Sequence, residues 1–254
     1  ILSTRVDIFD AEWIEEFEKL QSNVAPIPVA SIDELIESYL GRPMGEGFRS
    51  FDSVPVGGAS IAQVHKAVLS DGETVAGKIK RPDIEPVIQA DLRILTHLAG
   101  LIESEIPEVR RYQPVQMVQY FARSLAKETD LSVELRYMQR FGQTFDSDPF
   151  VRIPRVYPDI SNRQILVQEH IGDTLLKDIR IETLDAPMRT QLAARITDTL
   201  FTMILQQGFF HADPHPGNIF IGSDGRITLI DFGLVGHLSS TRRREIVDLI
   251  NALT

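Results

Sequence analysis

The sequence contains no cysteine among its 254 residues. That absence excludes disulfide cross-links, zinc sites with cysteine ligands and catalysis by a thiol. No stretch approaches the roughly 18 uninterrupted apolar residues that a membrane-spanning helix needs. A surplus of basic charge is missing as well, since 26 basic and 36 acidic side chains give a formal charge of −10. Because nucleic-acid backbones are held by surplus lysine and arginine, this charge balance predicts no nucleic-acid partner.

The composition is that of a globular protein, with 43% hydrophobic residues. A chain of this length can bury a sizeable core in one large domain or in two lobes. Acidic side chains are concentrated in the first 50 residues, where 10 acids stand against 4 bases. Apolar residues at helical spacing predict helices at 11–20 and 31–40, the second with Ser31 as its N-cap. We therefore expect a helical N-terminal extension at 1–47. The chain starts without methionine and ends inside a predicted helix, so we also expect a fragment of a longer protein.

A β-rich pattern begins near Phe48. Predicted strands at 60–69 and 73–80 flank Asp71-Gly72, a dipeptide typical of hairpin turns. Beyond Pro82 the pattern predicts further elements: helices at 83–104, 114–144 and 187–207, and strands at 152–157, 164–170, 219–221 and 227–230. We expect a two-lobed α+β fold with an N-lobe at 48–167, a C-lobe at 168–254 and a hinge near 168–173.

The most specific stretch is His-Ala-Asp-Pro-His-Pro-Gly-Asn at 211–218, with Asp231-Phe232-Gly233 further on. Phosphoryl transfer needs positioning and charge neutralisation more than covalent help from the protein. Asp213 suits the carboxylate that lies near an attacking hydroxyl, and Asn218 and Asp231 offer the oxygen ligands that Mg²⁺ prefers. A loop between a long helix and a hairpin, with Asp-Phe-Gly after an apolar strand, is typical of a kinase catalytic loop and its metal-binding aspartate.

Two other interpretations of this stretch stay open at this point. Asp, Asn, His, Pro and Gly are common in loops for reasons of turn geometry alone. A transition-metal site is the second interpretation, because His211, Asp213 and His215 alternate along the chain. Pro214 and Pro216 disfavour the regular strand that would place these three side chains on one side.

Lys78, in Val75-Ala76-Gly77-Lys78, lies on the second strand of the predicted hairpin. A lysine under a nucleotide can reach the α- and β-phosphates if a carboxylate holds it in place, and Glu128 on the long predicted helix is the expected partner. Lys80, next along the same strand face, is expected to be an ordinary surface lysine. Gly57, Gly58 and Ala59 precede the hairpin and permit a phosphate to approach the backbone closely. An ordinary tight turn is the alternative for these three residues.

Five segments together resemble the UbiB (aarF-domain) family of atypical kinases. They are Gly57–His65 with Ser-Ile-Ala-Gln-Val-His, Val75–Pro82, Glu128-x-Asp130, His211–Asn218 and Asp231-Phe232-Gly233. The resemblance covers nearly the whole chain in the right order. It implies a protein-kinase-like fold with an alanine-rich phosphate loop, and it implies that the protein binds ATP (or ADP) and Mg²⁺. It also implies a role supporting the synthesis of ubiquinone or a related isoprenoid quinone at a membrane.

The resemblance also implies roles for individual residues. Lys78 would pair with Glu128 and with the phosphates, Asp213 would be the catalytic-loop aspartate, and Asn218 and Asp231 would hold Mg²⁺. The expected nucleotide-binding residues are those of the phosphate loop and of the hinge: Gly57, Gly58, Ala59, Ser60, Glu169 and Ile171, the last two through backbone groups. Glu134 falls on a family acid in the helix that carries the E-x-D motif, with structural packing as the alternative role.

Three departures from the family pattern stand out. The family's K-x-G-Q motif normally lies just before the segment that matches Ile1–Arg5, so it is missing from this chain. Gly57-Gly58 stands where family members more often carry alanines, which could change the preference between ATP and ADP. Gly77 replaces a bulkier apolar residue, and we expect this change to remove a packing contact over the adenine pocket.

The segment after Asp-Phe-Gly indicates the kind of catalyst. Leu234–Leu238 leads directly to a helix predicted at 242–253, without the long activation segment of a peptide kinase, and Ala212 stands where many regulated kinases have arginine. Both features favour an ATPase or small-molecule kinase. One alternative is a phosphotransferase of the aminoglycoside or choline kinase kind, which would not predict Ser60–His65. Another is a nucleotide-binding pseudokinase scaffold, which the intact set of Lys78, Asp213, Asn218 and Asp231 disfavours.

The expected partners are a nucleotide, a membrane lipid or quinone precursor, and other quinone-biosynthesis proteins. We expect the fragment itself to be soluble and the protein to lie peripherally on the cytoplasmic side of a bacterial inner membrane. A mitochondrial or plastid membrane is the alternative location.

Overall fold

The computed structural model describes residues 32–58 and 61–253. The helix predicted at 11–20, the N-cap Ser31 and the loop residues Ala59 and Ser60 lie outside this part of the chain. Six α-helices lie within it: α1 Ile32–Leu40, α2 Ile84–Glu105, α3 Pro114–Glu128, α4 Leu131–Phe145, α5 Ala186–Phe201 and α6 Ser240–Leu253. The same residues form ten strands: β1 Phe48–Gly58, β2 Ala62–Leu69, β3 Thr74–Lys80, β4 Val151–Arg152, β5 Ile165–Glu169, β6 Thr174–Leu175, β7 Phe209–His211, β8 Ile219–Ile221, β9 Ile227–Leu229 and β10 Val235–His237.

Contacts between Cα atoms divide the chain into two compact units. The first comprises the described residues up to Ser132 together with Tyr157–Gln168. The second comprises Val133–Val156 and the described residues from Glu169 onward. The division at 48 and 168 made from the sequence stays a prediction.

The first unit contains a four-stranded sheet in the order β1-β2-β3-β5. β2 and β3 form the predicted hairpin, and Gly72 in its turn has a φ of 94°, which glycine accommodates without a steric cost. Successive side chains of a strand point to opposite faces of the sheet. The apolar face of this sheet packs against Ile32 and Ile36 of α1. The sheet residues in this buried cluster are Phe48, Ala67, Leu69, Val75, Ile79, Ile165 and Val167. These side chains are the core of the first unit.

The helix predicted at 114–144 is wrong in one respect, because it is two helices. α3 ends at Glu128 and α4 begins at Leu131. Asp130 accepts hydrogen bonds at Oδ1 from the Ser132 backbone N–H at 3.0 Å and from Ser132 Oγ at 2.6 Å. A short polar side chain that binds the first free N–H groups of a helix favours a helix start at that point. Asp130 therefore divides the predicted helix.

Among the described residues, the strand predicted at 219–221 has the predicted bounds, and other predicted elements are present with changed bounds. The strand predicted at 152–157 is reduced to Val151–Arg152, because Pro154 and Pro158 cannot donate to a ladder. The helix predicted at 187–207 is α-helical to Phe201 and continues as a π-helix at Thr202–Gln207, where Gly208 with a φ of 63° ends it. No helix among the described residues is long and apolar enough to cross a membrane.

The second unit contains a sheet in the order β4-β9-β8-β6 and the two-stranded pair β7 and β10. Its centre includes three fully buried phenylalanine rings. Phe141 stacks on Phe209 with a centroid distance of 4.5 Å and lies 4.6 Å from the ring of Phe232. Phe232 is the middle residue of Asp-Phe-Gly, so aromatic packing fixes the backbone on either side of it.

Candidate active site

Asn218 and Asp231 are brought together by the hairpin of β8 and β9. Asn218 immediately precedes β8, and Asp231 follows Ile230, the first residue after β9. The two strands are antiparallel with Ile219 opposite Leu229, and the Ile230 N–H donates to the Asn218 carbonyl at 3.0 Å. Asn218 and Asp231 therefore flank the same hairpin. This arrangement agrees with their predicted common role.

His211 connects the catalytic-loop segment to the Asp-Phe-Gly segment. It ends β7 opposite Val235 of β10, and its imidazole is almost fully buried. Nε2 lies 2.9 Å from the Ile230 carbonyl and Nδ1 lies 3.1 Å from the backbone nitrogen of Asp213. Since the Asp213 N–H can only donate, Nδ1 accepts and Nε2 carries the proton that is donated to Ile230. Burial lowers the pKa of His211 by more than the hydrogen bond to Ile230 raises it. The lowered pKa favours this neutral form of the imidazole.

Asp213 has a fixed backbone and a side chain that reaches solvent. Its N–H is bound by His211, and its carbonyl accepts a hydrogen bond from Asn218 Nδ2 at 3.1 Å. The Asp213 side chain is 52% exposed, and Oδ2 lies 3.8 Å from His215 Nε2. A carboxylate on a rigid backbone with an accessible head can meet an incoming hydroxyl or water.

Asn218 is buried, with 6% of its surface exposed. Its Nδ2 is committed to the Asp213 carbonyl, and this bond decides the orientation of the amide. Among the described residues no hydrogen bond to Oδ1 is found, so Oδ1 is the atom that can face a cation. An amide oxygen is a ligand that Mg²⁺ accepts.

Asp231 has a backbone conformation that non-glycine residues rarely adopt, with a φ of 59°. Aspartate tolerates this left-handed region better than most side chains, but it still costs energy relative to extended or helical backbone. Such a conformation persists where the surrounding structure holds it, as the buried Phe232 does here. The strained backbone turns the chain at the residue that sequence reasoning assigned to the metal.

Gly217 is required by the packing of the loop. A Cβ at this position would lie 2.7 Å from His215 Cε1 and 2.9 Å from Nδ1. The Gly217 N–H donates to His215 Nδ1 at 3.0 Å, and the Asn218 N–H donates to the His215 carbonyl at 2.9 Å. The imidazole of His215 therefore folds over the turn that delivers Asn218.

The transition-metal interpretation is wrong. Both ring nitrogens of His211 are engaged by the backbone, and Nδ1 of His215 accepts from Gly217. In the part of the chain that the structure describes, no three His, Cys, Asp or Glu side chains are placed to hold one metal ion. Apart from His215 Nε2, the donors that remain are hard oxygens, which fit Mg²⁺ bound jointly by protein and phosphate.

Gly57 and Lys78 lie in one row across the sheet of the first unit. Gly57 is opposite Val64, and Val64 is opposite Lys78. Residues directly opposite each other share a face, so Gly57, Val64 and Lys78 are on the same side of the sheet. The two glycines are the last residues of β1 rather than loop residues, which corrects the expected position of Gly57 and Gly58. A Cβ at Gly58 would meet nothing within 4 Å, and one at Gly57 would only touch Val64.

Two expectations about the lysine strand are wrong. Gly77 is opposite His65 on the core face, while Lys78 points to the other face, so Gly77 removes no contact over the face that carries Lys78. The ring of Phe51 occupies the space beside Gly77 instead. Lys80 is not a surface lysine: its side chain is 8% exposed and its Nζ lies 2.8 Å from Glu85 Oε1.

The two acids around the E-x-D motif lie in different helices. Glu128 is the half-buried last residue of α3, and the buried Glu134 lies in the first turn of α4. The expectation that one helix carries both is therefore wrong, because Asp130 starts a new helix between them. Asp130 Oδ2 also accepts from Arg163 Nε at 3.1 Å. The pairing of Glu128 with Lys78 stays a prediction.

Glu169, at the end of β5, is held by arginines of its own unit. Its N–H donates to the Arg155 carbonyl at 2.8 Å, and its carboxylate accepts from Arg152 and from the Arg155 N–H. Ile171 follows in an irregular, half-buried segment. The backbone N–H of Glu169 is therefore already used, so an adenine contact from this residue would come from its carbonyl.

Gln63 and His65 have structural roles that were not predicted from the sequence. Both are buried, His65 Nδ1 lies 2.8 Å from the Asp52 carbonyl, and Nε2 lies 3.4 Å from Gln63 Oε1. Burial lowers the pKa of His65, more than its bond to the Asp52 backbone raises it. The available signal was alternation, because positions 63 and 65 share a strand face with Ala67 and Leu69.

These features together define a class of protein. A buried histidine anchors a loop with Asp213 and Asn218, and an adjacent Asp-Phe-Gly follows a hairpin. A separate sheet carries a lysine on one of its strands. This combination of features is typical of protein-kinase-like proteins. Comparison with known families agrees. The model of the ABC1 atypical kinase-like domain matches residues 19–254. The chain belongs to the ABC1 atypical kinase-like family.

Relatives in bacteria support the same assignment. The chain is 34% identical over 253 residues to the probable protein kinase UbiB of Aliivibrio salmonicida, covering 98% of this chain and 47% of that protein. It is 36% identical to the probable protein kinase UbiB of Edwardsiella ictaluri, again covering 98% and 47%. The chain thus spans about half the length of these curated relatives. The resemblance to UbiB proteins is confirmed.

A solved structure confirms the fold class. Rv3197 from Mycobacterium tuberculosis, determined in complex with erythromycin, superimposes with a TM-score of 0.74 at 26% identity. The superposition covers 98% of this chain and 65% of that one. The kinase-like mixture of sheet and helices expected from the sequence is therefore confirmed.

Proposed function

We propose that the chain is the nucleotide-binding core of an atypical kinase or ATPase that binds ATP or ADP with Mg²⁺. The observation that carries the proposal is the arrangement of Asp213, Asn218 and Asp231 within the second unit. One hydrogen bond joins Asn218 to the Asp213 backbone, and one hairpin joins Asn218 to the segment before Asp231. Phosphoryl transfer requires such positioned oxygens more than any covalent group.

The donor set fits Mg²⁺. In phosphoryl-transfer sites this ion is held by one or two carboxylates together with substrate phosphates, and it keeps several waters. We assign Asn218 Oδ1 and the Asp231 carboxylate as its protein ligands. When bound, the ion would neutralise charge on the phosphates. Asp213 would orient the attacking hydroxyl or water with its exposed carboxylate.

The first unit supplies the remaining assignments. Lys78 is proposed to contact the phosphates, because it shares a sheet face with Gly57 at the entry to the phosphate loop. Glu128 is its proposed partner, and Ala59 and Ser60 complete the loop. The carbonyl of Glu169 and the backbone of Ile171 are proposed to bind adenine.

A role in ubiquinone or related quinone synthesis is the proposed biological setting. The similarity to UbiB proteins supports it, and the proposal includes a peripheral position at a membrane with lipid, quinone-precursor and biosynthetic-protein partners. It concerns the whole protein, of which the chain matches about half.

A thermal-shift series tests the site. Mg²⁺ with ATP or ADP at about 100 times Kd should stabilise the chain by about 2.7 kcal/mol, which is a rise of about 5–10 °C in Tm for this size. Asp231→Asn should lose most of that rise, whereas Asp248→Asn on exposed α6 is the matched control and should keep it. An unchanged rise in Asp231→Asn would overturn the metal assignment.

ATP turnover tests the catalytic assignment separately. Asp213→Asn should retain the nucleotide-dependent rise in Tm but lose hydrolysis by about 100-fold or more, the range expected of a positioned acid or base. Turnover that survives in this variant removes Asp213 from the catalytic role. Nucleotide binding with no turnover, even with anionic-lipid vesicles and a quinone-precursor mimic, would identify a scaffold instead of an enzyme.

A further inference from the structure

Gly77 lies directly before the proposed phosphate lysine and faces the opposite side of the sheet. Its missing side chain leaves space on the core face, and the ring of Phe51 fills that space. A Cβ added to Gly77 would lie 2.7 Å from Phe51 Cζ and 2.9 Å from Cε2. Carbon atoms in proteins do not approach this closely, so either the ring or the strand would have to move.

Phe51 is opposite Ala67 of β2, so its ring lies on the same face of the sheet as Gly77. The pairing of β1 with β2 shifts register between Phe51 and Pro55, and such irregularities re-aim side chains. The ring contacts Phe48 edge-on at a centroid distance of 5.4 Å and lies 5.6 Å from the imidazole of His65. His65 is itself opposite Gly77 and is bonded to the Asp52 carbonyl. Phe51 is therefore held by neighbours on both sides and cannot move freely.

We propose that Phe51 is a positioning residue for Lys78. Its ring fills the space that a side chain at residue 77 would occupy and packs against β3 on the core face. This contact fixes the position of the β3 backbone and therefore of Lys78 on the opposite face. The inference deepens the proposed function and rests on Lys78 as a phosphate contact. Lys78 is the residue next to Gly77, so a displacement of the Gly77 backbone also displaces Lys78.

The proposal predicts size complementarity between positions 51 and 77. Gly77→Val overfills the space and pushes β3 away from Phe51, whereas Phe51→Ala leaves a gap behind the strand. The double variant Phe51→Ala with Gly77→Val moves the bulk from one strand to the other and should restore the support. Two control variants test general effects: Val54→Ala, on the exposed part of β1, and Gly45→Val, where a Cβ meets nothing within 4 Å.

The first measurement is the reactivity of the Lys78 amine in the full chain without nucleotide. Acylation by an N-hydroxysuccinimide ester is followed by peptide mass spectrometry, with Lys66 on the same sheet face as internal reference. Each single variant should change the ratio of the Lys78 and Lys66 rates by about threefold or more, and the double variant should return it to near the original value. Both control variants should leave it unchanged.

The second measurement is the Kd for Mg²⁺ and ATP. Each single variant should weaken binding by about tenfold, and the double variant should recover to within about threefold, which is a coupling typical of residues in contact. A double variant no better than the worse single variant would overturn the proposal. Single variants that lower Tm while the Lys78 reactivity and the Kd stay unchanged would also overturn it, because Phe51 would then have only a packing role. If the unaltered chain binds no nucleotide, the proposed function fails, and the reactivity ratios still decide whether Phe51 positions Lys78.

Discussion

At the scale of single residues, His211 has two functions that its position in the sequence does not reveal. One ring accepts from the Asp213 N–H and donates to the Ile230 carbonyl, next to Asp231. The catalytic-loop segment and the Asp-Phe-Gly segment are therefore joined through one neutral imidazole. A protonated ring could not accept from Asp213, so the charge state of His211 decides whether the loop keeps its geometry.

This bonding predicts a pH-dependent stability. The folded pKa of His211 is lowered by burial, so as the pH falls the unfolded chain takes up the proton first. The stabilisation that neutral His211 gives to the fold is therefore complete above the pKa of histidine in the unfolded chain, about 6.5. It is lost as the pH falls below that value. The difference in Tm between the unaltered chain and His211→Gln should be largest near pH 7.5 and should shrink towards about pH 5.

The control for this experiment is Phe232→Leu. This change alters the packing against the same imidazole, 5.0 Å from the Phe232 ring centroid, but leaves the titrating group in place. Its Tm difference from the unaltered chain should stay nearly constant over the same range. A constant difference for His211→Gln as well would contradict a neutral, bonded His211.

At the scale of secondary-structure elements, an ion pair between a buried lysine and a half-exposed glutamate joins the end of β3 to the start of α2. Lys80 is almost fully buried and Glu85 is 46% exposed, with 2.8 Å between Nζ and Oε1. The hydrogen bond from Lys80, followed by its charge, lowers the pKa of Glu85. The pair therefore stabilises the fold above the ordinary pKa of a glutamate, and this contribution is lost as the pH falls through the lowered value.

Breaking this pair from its two ends should have unequal effects. Glu85→Gln leaves the charge of the buried Lys80 ammonium poorly compensated and should lower the free energy of unfolding by about 1–2 kcal/mol. This loss is smaller than that for a fully buried ion pair, because Glu85 is partly exposed to solvent. Lys80→Met removes the charge that is costly to bury and should change it by less than about 1 kcal/mol. Urea unfolding at pH 7 measures both. A larger loss for Lys80→Met than for Glu85→Gln would show that the ion pair, not the burial of the charge, dominates.

Sequence patterns alone did not decide where every helix and strand begins and ends. Apolar spacing continues through 114–144, so periodicity alone gives one helix, yet the capping bonds of Asp130 make two. Gly57-Gly58 carries the residue types of a loop, but cross-strand pairing makes these residues the end of β1. In both cases a few hydrogen bonds overrode local propensity.

At the scale of the whole molecule, the formal charge of −10 limits the choice of partners. Non-specific binding to nucleic acid comes from neutralised phosphates, and an acidic chain has no surplus of cations to supply this. We expect no binding to a double-stranded DNA oligonucleotide, by fluorescence anisotropy, at about 10 µM protein and physiological salt. A basic protein of similar mass is the control. Saturable binding whose affinity falls with salt would contradict this expectation.

The sequence by itself determined the class of fold and predicted the chemistry of the candidate site. Asn218 and Asp231 flank the hairpin of β8 and β9, and a hydrogen bond joins Asn218 to the Asp213 carbonyl. A short loop and a two-stranded turn leave little conformational freedom between these residues, so their spacing in the sequence was informative. The match to the ABC1 atypical kinase-like family agrees with that inference.

Only the tertiary structure decided which side chains pack beside the strand that carries Lys78 and which side chain holds the loop of Asp213. Phe51, His65 and Gly77 come from three strands, and His211 joins two segments that follow different elements. Which face of a sheet a residue takes, and what fills the space beside a glycine, depend on register and bulges, which follow from pairing between strands and not from local sequence. Lys80 shows the same limit, because burial is a property of the packed molecule, and a lysine at an ordinary strand position is buried only where a partner such as Glu85 is held within reach.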